Sequence, residues 1–92
     1  MEEVSATYVW RVRQGLLYRA LVDGGMIYDG DRVQVHHLNA SAALIWELCQ
    51  TGASEAALAA ALCSQYEVDR AQAQDDLRKI LQVFADANLL QS

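Results

Sequence analysis

Ninety-two residues, 53% apolar and 21% charged, describe one globular domain with a modest core rather than a disordered chain. Twelve acids against seven bases leave a net charge of −5. Arg11, Arg13, Arg19, Arg32, Arg70, Arg78 and Lys79 are scattered, whereas a phosphate-binding face gathers its cations, so nucleic acid is not the expected partner. No apolar run approaches the roughly 20 residues that span a bilayer. The opening MEEVSATY is acidic, unlike a secretory signal, so a cytoplasmic protein with no membrane contact is expected.

Residues 1–7 form a polar lead-in expected to fray. Tyr8–Val12 and Leu16–Leu21 are then β-favourable runs. Met26–Asp29 follows the turn signal Asp23-Gly24-Gly25, and Val33–Leu38 follows Asp29-Gly30-Asp31. Gly and Asp turns between short runs of this kind predict a small antiparallel meander. The first run is either a separate edge strand or part of one long bent strand. Leu38 stands one residue out of alternation with Val33 and Val35. Either a bulge lies near His36-His37, or the strand is apolar on both faces.

The character of the chain changes at Asn39. Asn39 and Ser41 supply helix-start oxygens, and Leu44, Ile45, Trp46, Leu48 and Cys49 make the helix Ser41–Gln50 apolar over most of its circumference. It should lie at the centre of the core and end at Thr51-Gly52, with Gly52 in the left-handed conformation. Ser54 caps a second helix with Glu55 in its first turn, and Leu58, Leu62 and Tyr66 share one face. Asp69 caps a third, with Gln72 in capping-box register. Ala73, Leu77, Ile80, Leu81 and Phe84 form its inward stripe, Asn88 is its C′ residue, and Leu89-Leu90 folds back as an apolar clasp. Val83 widens the stripe beside Asp76 and Lys79, as added core or as a groove. The fold class is α+β: a meander of three strands, with a fourth if the first run stands alone, then three helices. A tight turn around Tyr66-Glu67-Val68 makes the last two compatible with a winged helix-turn-helix.

No catalytic constellation is visible, and no catalytic residue or cofactor is expected. His36 and His37 point to opposite faces of a strand and cannot chelate one ion together without a bulge. Adding Cys49 or Cys63 gives no recognised ligand spacing, so no metal is expected. One histidine should be half-buried and the other should face solvent or a partner. Both cysteines sit at apolar helical positions and read as reduced core residues. Trp46 reads as core. Trp10 covers the core edge or lies at an interface. Glu47 and Asp75-Asp76 read as solvated helix faces.

A strand ending in Leu38-Asn39 is followed by Ile45-Trp46-Glu47-Leu48 and Gly52. Leu58, Leu62 and Tyr66 come next, then Val68-Asp69, and finally Phe84 with Leu89-Leu90. In this order and spacing, over about residues 16–90, the chain resembles the PqqD family. The His37-Leu38-Asn39 run is also similar to members found beside a kinase-like protein related to HPr kinase. The resemblance implies a winged helix-turn-helix that works as a peptide chaperone, or RiPP recognition element. Such members are not catalytic. They bind the leader segment of a ribosomally made precursor peptide and present its core to a modifying enzyme, a radical SAM protein in the case of PqqD. The family places the leader as an added strand on the third strand, against the third helix. Carried onto this chain, the site is Val33, Gln34, Val35, His36, His37 and Leu38 on the strand, with Asp76, Lys79, Ile80, Val83 and Phe84 on the helix. His36 and His37 depart from a more apolar family strand.

An edge strand offers unpaired N–H and C=O groups to an extended peptide, so the residues independently allow strand addition. The alternatives are a winged-helix DNA-binding regulator, disfavoured by its acidic helices, and a structural interface module. A monomer and a homodimer remain open.

Overall fold

The computed structural model describes residues 8–91; the lead-in 1–7, expected to fray, lies outside the described residues. Its elements are β1 (Val9–Trp10), β2 (Leu16–Leu21), β3 (Gly24–Asp29), β4 (Gln34–Asn39), α1 (Ala40–Thr51), β5 (Ala53–Ser54), α2 (Glu55–Tyr66) and α3 (Arg70–Asp86). Strands β2, β3 and β4 form the antiparallel meander in that order. Strand β1 is separate from it and pairs with β5, Val9 opposite Ser54 and Trp10 opposite Ala53.

The meander register is unbroken from Gly24↔Asn39 to Asp29↔Gln34, so there is no bulge at His36-His37. Strict alternation puts Ile27, Asp29 and Leu38 on the buried face and turns Tyr28 and Val35 outward. The strand thus carries apolar residues on both faces. It also starts one residue later than expected. Val33 sits in the preceding turn with φ 53°, a region a β-branched side chain rarely enters, and so cannot join the ladder. As expected, His36 is half-buried and His37 exposed. Gly24 is required where it stands, since a Cβ there would run into the Leu38 backbone carbonyl of the neighbouring strand.

Helix α1 begins where Asn39 accepts the Ala42 N–H at 2.9 Å. Its Ile45, Trp46 and Cys49 are buried at the centre of the molecule. The Trp46 ring meets Phe84 of α3 edge-on, with centroids 5.4 Å apart. Its indole N–H has no hydrogen-bond partner among the described residues, a cost of about 1–3 kcal/mol that the burial of so large a ring offsets. Gly52 has φ 98° and ψ 134°, a positive-φ conformation that glycine permits but without the ψ of the αL cap expected, and the chain runs directly into β5. Ser54 caps α2 as read, through the Ala57 N–H. Its other end is closed by Glu67 in the left-handed region, φ 55° and ψ 41°.

Asp69 caps α3, accepting the Gln72 N–H at 2.8 Å. The capping box is not closed, because the Gln72 side chain donates to Asp76 instead, at 2.9 Å. Asn88 has φ 60°. The Leu89 N–H reaches the Phe84 carbonyl at 2.9 Å and the Asn88 N–H reaches Ala85 at 3.0 Å, which is the paired bonding of a Schellman end. Leu89 is thereby returned to the core at 1% exposure.

Arg13 ties these parts together. Its guanidinium pairs with Asp29 at 2.8 Å and also donates to the Asn88 carbonyl at 2.8 Å. Asp29 is 1% exposed and further accepts the Asp31 and Arg32 N–H groups at 3.1 and 3.3 Å. The end of the sheet is thus joined to the end of α3 through the Arg13 guanidinium.

Candidate functional site

Among the described residues nothing pairs with the side of β4 that faces away from β3. Its alternate N–H and C=O groups are therefore available to a further strand. Opposite this edge runs α3. Asp69 starts that helix and the Ala73, Leu77, Leu81 and Phe84 stripe seats it on the core. Ile80 lies half-buried at the margin of the stripe, and Val83 is 61% exposed.

Between edge and helix lies a cleft of about 230 Å³ lined by His37, Leu38, Asn39, Ala42, Lys79, Ile80, Val83 and Phe84. Six of the residues expected at a peptide site therefore meet around one hollow: His37, Leu38, Lys79, Ile80, Val83 and Phe84. Asn39 and Ala42 join them without having been singled out for binding. Asn39 reads in sequence only as a cap, yet as the last residue of β4 it also stands at the mouth of the cleft.

The other five expected residues lie elsewhere. Asp76 lines a neighbouring hollow of about 400 Å³ with Ser41, Leu62, Tyr66 and Val68, and that hollow shares Asn39 with the first. Val33 is in the turn before β4 and is 76% exposed. Gln34 starts the strand, Val35 looks out from the sheet at 50% exposure, and His36 looks inward, its Nε2 buried without a hydrogen-bond partner among the described residues. These belong to the β4 edge only through their backbone or their outer face.

The walls are mostly apolar. Lys79 supplies the one formal charge of the cleft lining, and its Nζ is drawn to Asp75 on the preceding turn at 3.2 Å. Such a hollow suits apolar side chains of an extended segment whose backbone bonds to β4. Glu47 is exposed as expected, but it also accepts the Tyr18 hydroxyl at 2.7 Å. Burial and then that hydrogen bond push the Tyr18 phenol up to about 12. Burial likewise pushes the Cys49 thiol up to about 11, which leaves it a poor nucleophile at neutral pH. Among the described residues no three His, Cys, Asp or Glu side chains converge as a metal site.

In its fold the chain is similar to TbiB1 solved in complex with the TbiA(beta) leader peptide. The TM-score is 0.81 at 24% identity, covering 89% of this chain and 95% of that one. It is similar to a lasso peptide synthetase B1 complexed with its leader peptide, with a TM-score of 0.79 at 28% identity, covering 90% and 98%. A third similar structure is the PqqD truncation of Methylobacterium extorquens PqqCD, a stand-alone RiPP recognition element, with a TM-score of 0.74 at 18% identity, covering 98% and 96%. Comparison with curated protein sequences gave no match. Residues 24–90, from the first residue of β3 to the clasp that closes α3, match the family model described as coenzyme PQQ synthesis protein D (PqqD), and the chain belongs to that family.

Proposed function

We propose that this protein is a peptide chaperone. It binds the leader segment of a ribosomally made precursor as a strand added to β4, with alternate leader side chains in the cleft against α3. The remainder of the precursor is thereby presented to a modifying enzyme, a radical SAM or kinase-like protein, in the cytoplasm. The protein's contribution is binding and positioning, and the covalent chemistry belongs to that enzyme. The observation that carries this reading is the pairing of an open strand edge with an apolar, partly exposed helix wall across a single cleft. Backbone bonds supply affinity that tolerates sequence, and the wall selects side chains. Two of the similar structures hold leader peptides, which is the same class of ligand.

Duplex DNA suits the fold less well. The α2–α3 unit carries Glu55, Glu67, Asp69, Asp75, Asp76 and Asp86 against Arg70, Arg78 and Lys79, and Lys79 is already paired with Asp75.

Amide hydrogen exchange tests the reading. In an antiparallel ladder every second N–H of Gln34–Asn39 bonds to β3, and the alternate ones face the open edge. Those alternate amides should exchange fast in the free protein and slow when a leader peptide that it binds is added. Binding with no new protection along β4 would overturn strand addition.

A further inference from the structure

We propose that the outward face of the sheet is a second selecting surface for the bound peptide, independent of the cleft. Leu17 pairs with Tyr28, and Tyr28 pairs with Val35. These three side chains form one cross-strand row on the face turned away from the helices. The row is conspicuously uncovered, with Leu17 68%, Tyr28 40% and Val35 50% exposed. A hollow of about 330 Å³ opens beside Leu17 and Tyr28. The row ends at Val35, on the open edge of β4.

A strand added to that edge lies about 4.8 Å from β4 and alternates its side chains between the two faces. Half of them enter the cleft against α3. The other half come out on this face, and the one opposite Val35 becomes the fourth member of the row. Its direct contact is Val35, and a long side chain leans over toward Tyr28. An apolar residue fits there, preferably β-branched or aromatic.

The adjacent row is chemically different. Arg19 pairs with Met26, and Met26 with His37. Its occupant on the added strand, two residues from the first in the peptide, meets a polar end at His37, which stands on the outward face while also bordering the cleft, with the Arg19 cation farther along. A carboxylate or amide fits there. The outward code is therefore apolar opposite Val35 and acidic or polar opposite His37. This inference rests on strand addition at β4, because without an added strand neither position exists. Each such cross-strand pair is worth about a two- to fivefold change in affinity.

The test is selection from a displayed library of random 15-residue peptides, using the full chain and its Val35→Lys and Val35→Glu variants. Position 35 is outward and half exposed, so both variants should fold, which a thermal melt verifies. Peptides selected by the unchanged chain should show an apolar position in the phase opposite Val35. With Val35→Lys that position should shift to Asp and Glu, and with Val35→Glu to Lys and Arg. The positions in the opposite phase, which fill the cleft, should keep their preferences. The inference fails if selected peptides protect the β4 amides from exchange yet show no preference at that position and no response to either variant. In that case the exposed row serves some other partner. If selected peptides leave β4 unprotected, it is strand addition that fails, and the outward code goes with it.

Discussion

Replacing Val83 by Asp isolates the helix wall of the cleft from the strand edge. Val83 is 61% exposed and stands outside the core cluster and the residues packed on it. The substitution leaves helix propensity nearly unchanged and places a carboxylate near the C-terminal end of α3, for a stability cost of about 0.5–1 kcal/mol. Binding should suffer far more. Full burial of a valine is worth about 1.5–3 kcal/mol, so covering the exposed 61% contributes about 1–2 kcal/mol. An unpaired carboxylate trapped under the peptide adds about 1–3 kcal/mol. Lys79 lies one turn back but is engaged by Asp75 at 3.2 Å, so its rescue is partial. The sum, about 2–5 kcal/mol, predicts leader binding weakened by about 30- to 4,000-fold. Val83→Ala, which removes apolar area without adding charge, should weaken it by about fivefold. Isothermal titration with the precursor peptide measures both, and circular dichroism melts confirm that the fold survives. An unaltered Kd for the folded Asp variant would refute α3 as the peptide's second wall.

Arg13→Ala strands the buried Asp29 carboxylate with two backbone donors at 3.1 and 3.3 Å. A loss of about 2–3 kcal/mol follows, or roughly 10–20 °C in Tm, and a shift below about 3 °C in a calorimetric scan would contradict the role given to this pair. Tyr18 releases its proton near pH 10 in the unfolded chain and near 12 in the native one. Its contribution is therefore complete below pH 10 and lost between pH 10 and 12. Ultraviolet titration should show the Tyr18 phenol ionising late, and Tyr18→Phe should remove that part of the alkaline decline. Burial of Cys49, with its thiol pushed up to about 11, predicts that N-ethylmaleimide at pH 8 modifies the half-buried Cys63 first. Cys49 should react only on unfolding, and equal native rates by mass spectrometry would contradict the packing described for α1.

Where local chemistry decides the backbone, the sequence is informative. Asn39, Ser54, Asp69 and Asn88 each stand at the helix boundary their side chains suggest, because capping involves groups only a few residues apart. The cleft was legible only in part, since Val33, Gln34, Val35, His36 and Asp76, also expected there, do not line it. The widened stripe at Val83 and the end of the strand at Leu38 do meet there. The phase of β4 was not legible, since Val33, Val35 and Leu38 fit two registers and only the partners on β3 choose between them. The β1–β5 pairing joins two-residue strands more than forty positions apart, with too little pattern in either to signal the other. The left-handed Glu67 carries no glycine or asparagine to announce it. Arg13 and Asp29 look like ordinary surface charges until the hairpin and the end of α3 are brought together.

The entering and leaving segments of the chain run side by side. Val12 bridges Leu90, and the Gln91 N–H reaches the Arg11 carbonyl at 2.9 Å. A short linker could therefore join them into a circular permutant, or a host protein could carry the domain as an insert, with little closure entropy to overcome. New ends opened at the exposed Asp23 turn between β2 and β3 would spare β4. The module is in that sense portable: it can be moved between polypeptides while the groove travels intact.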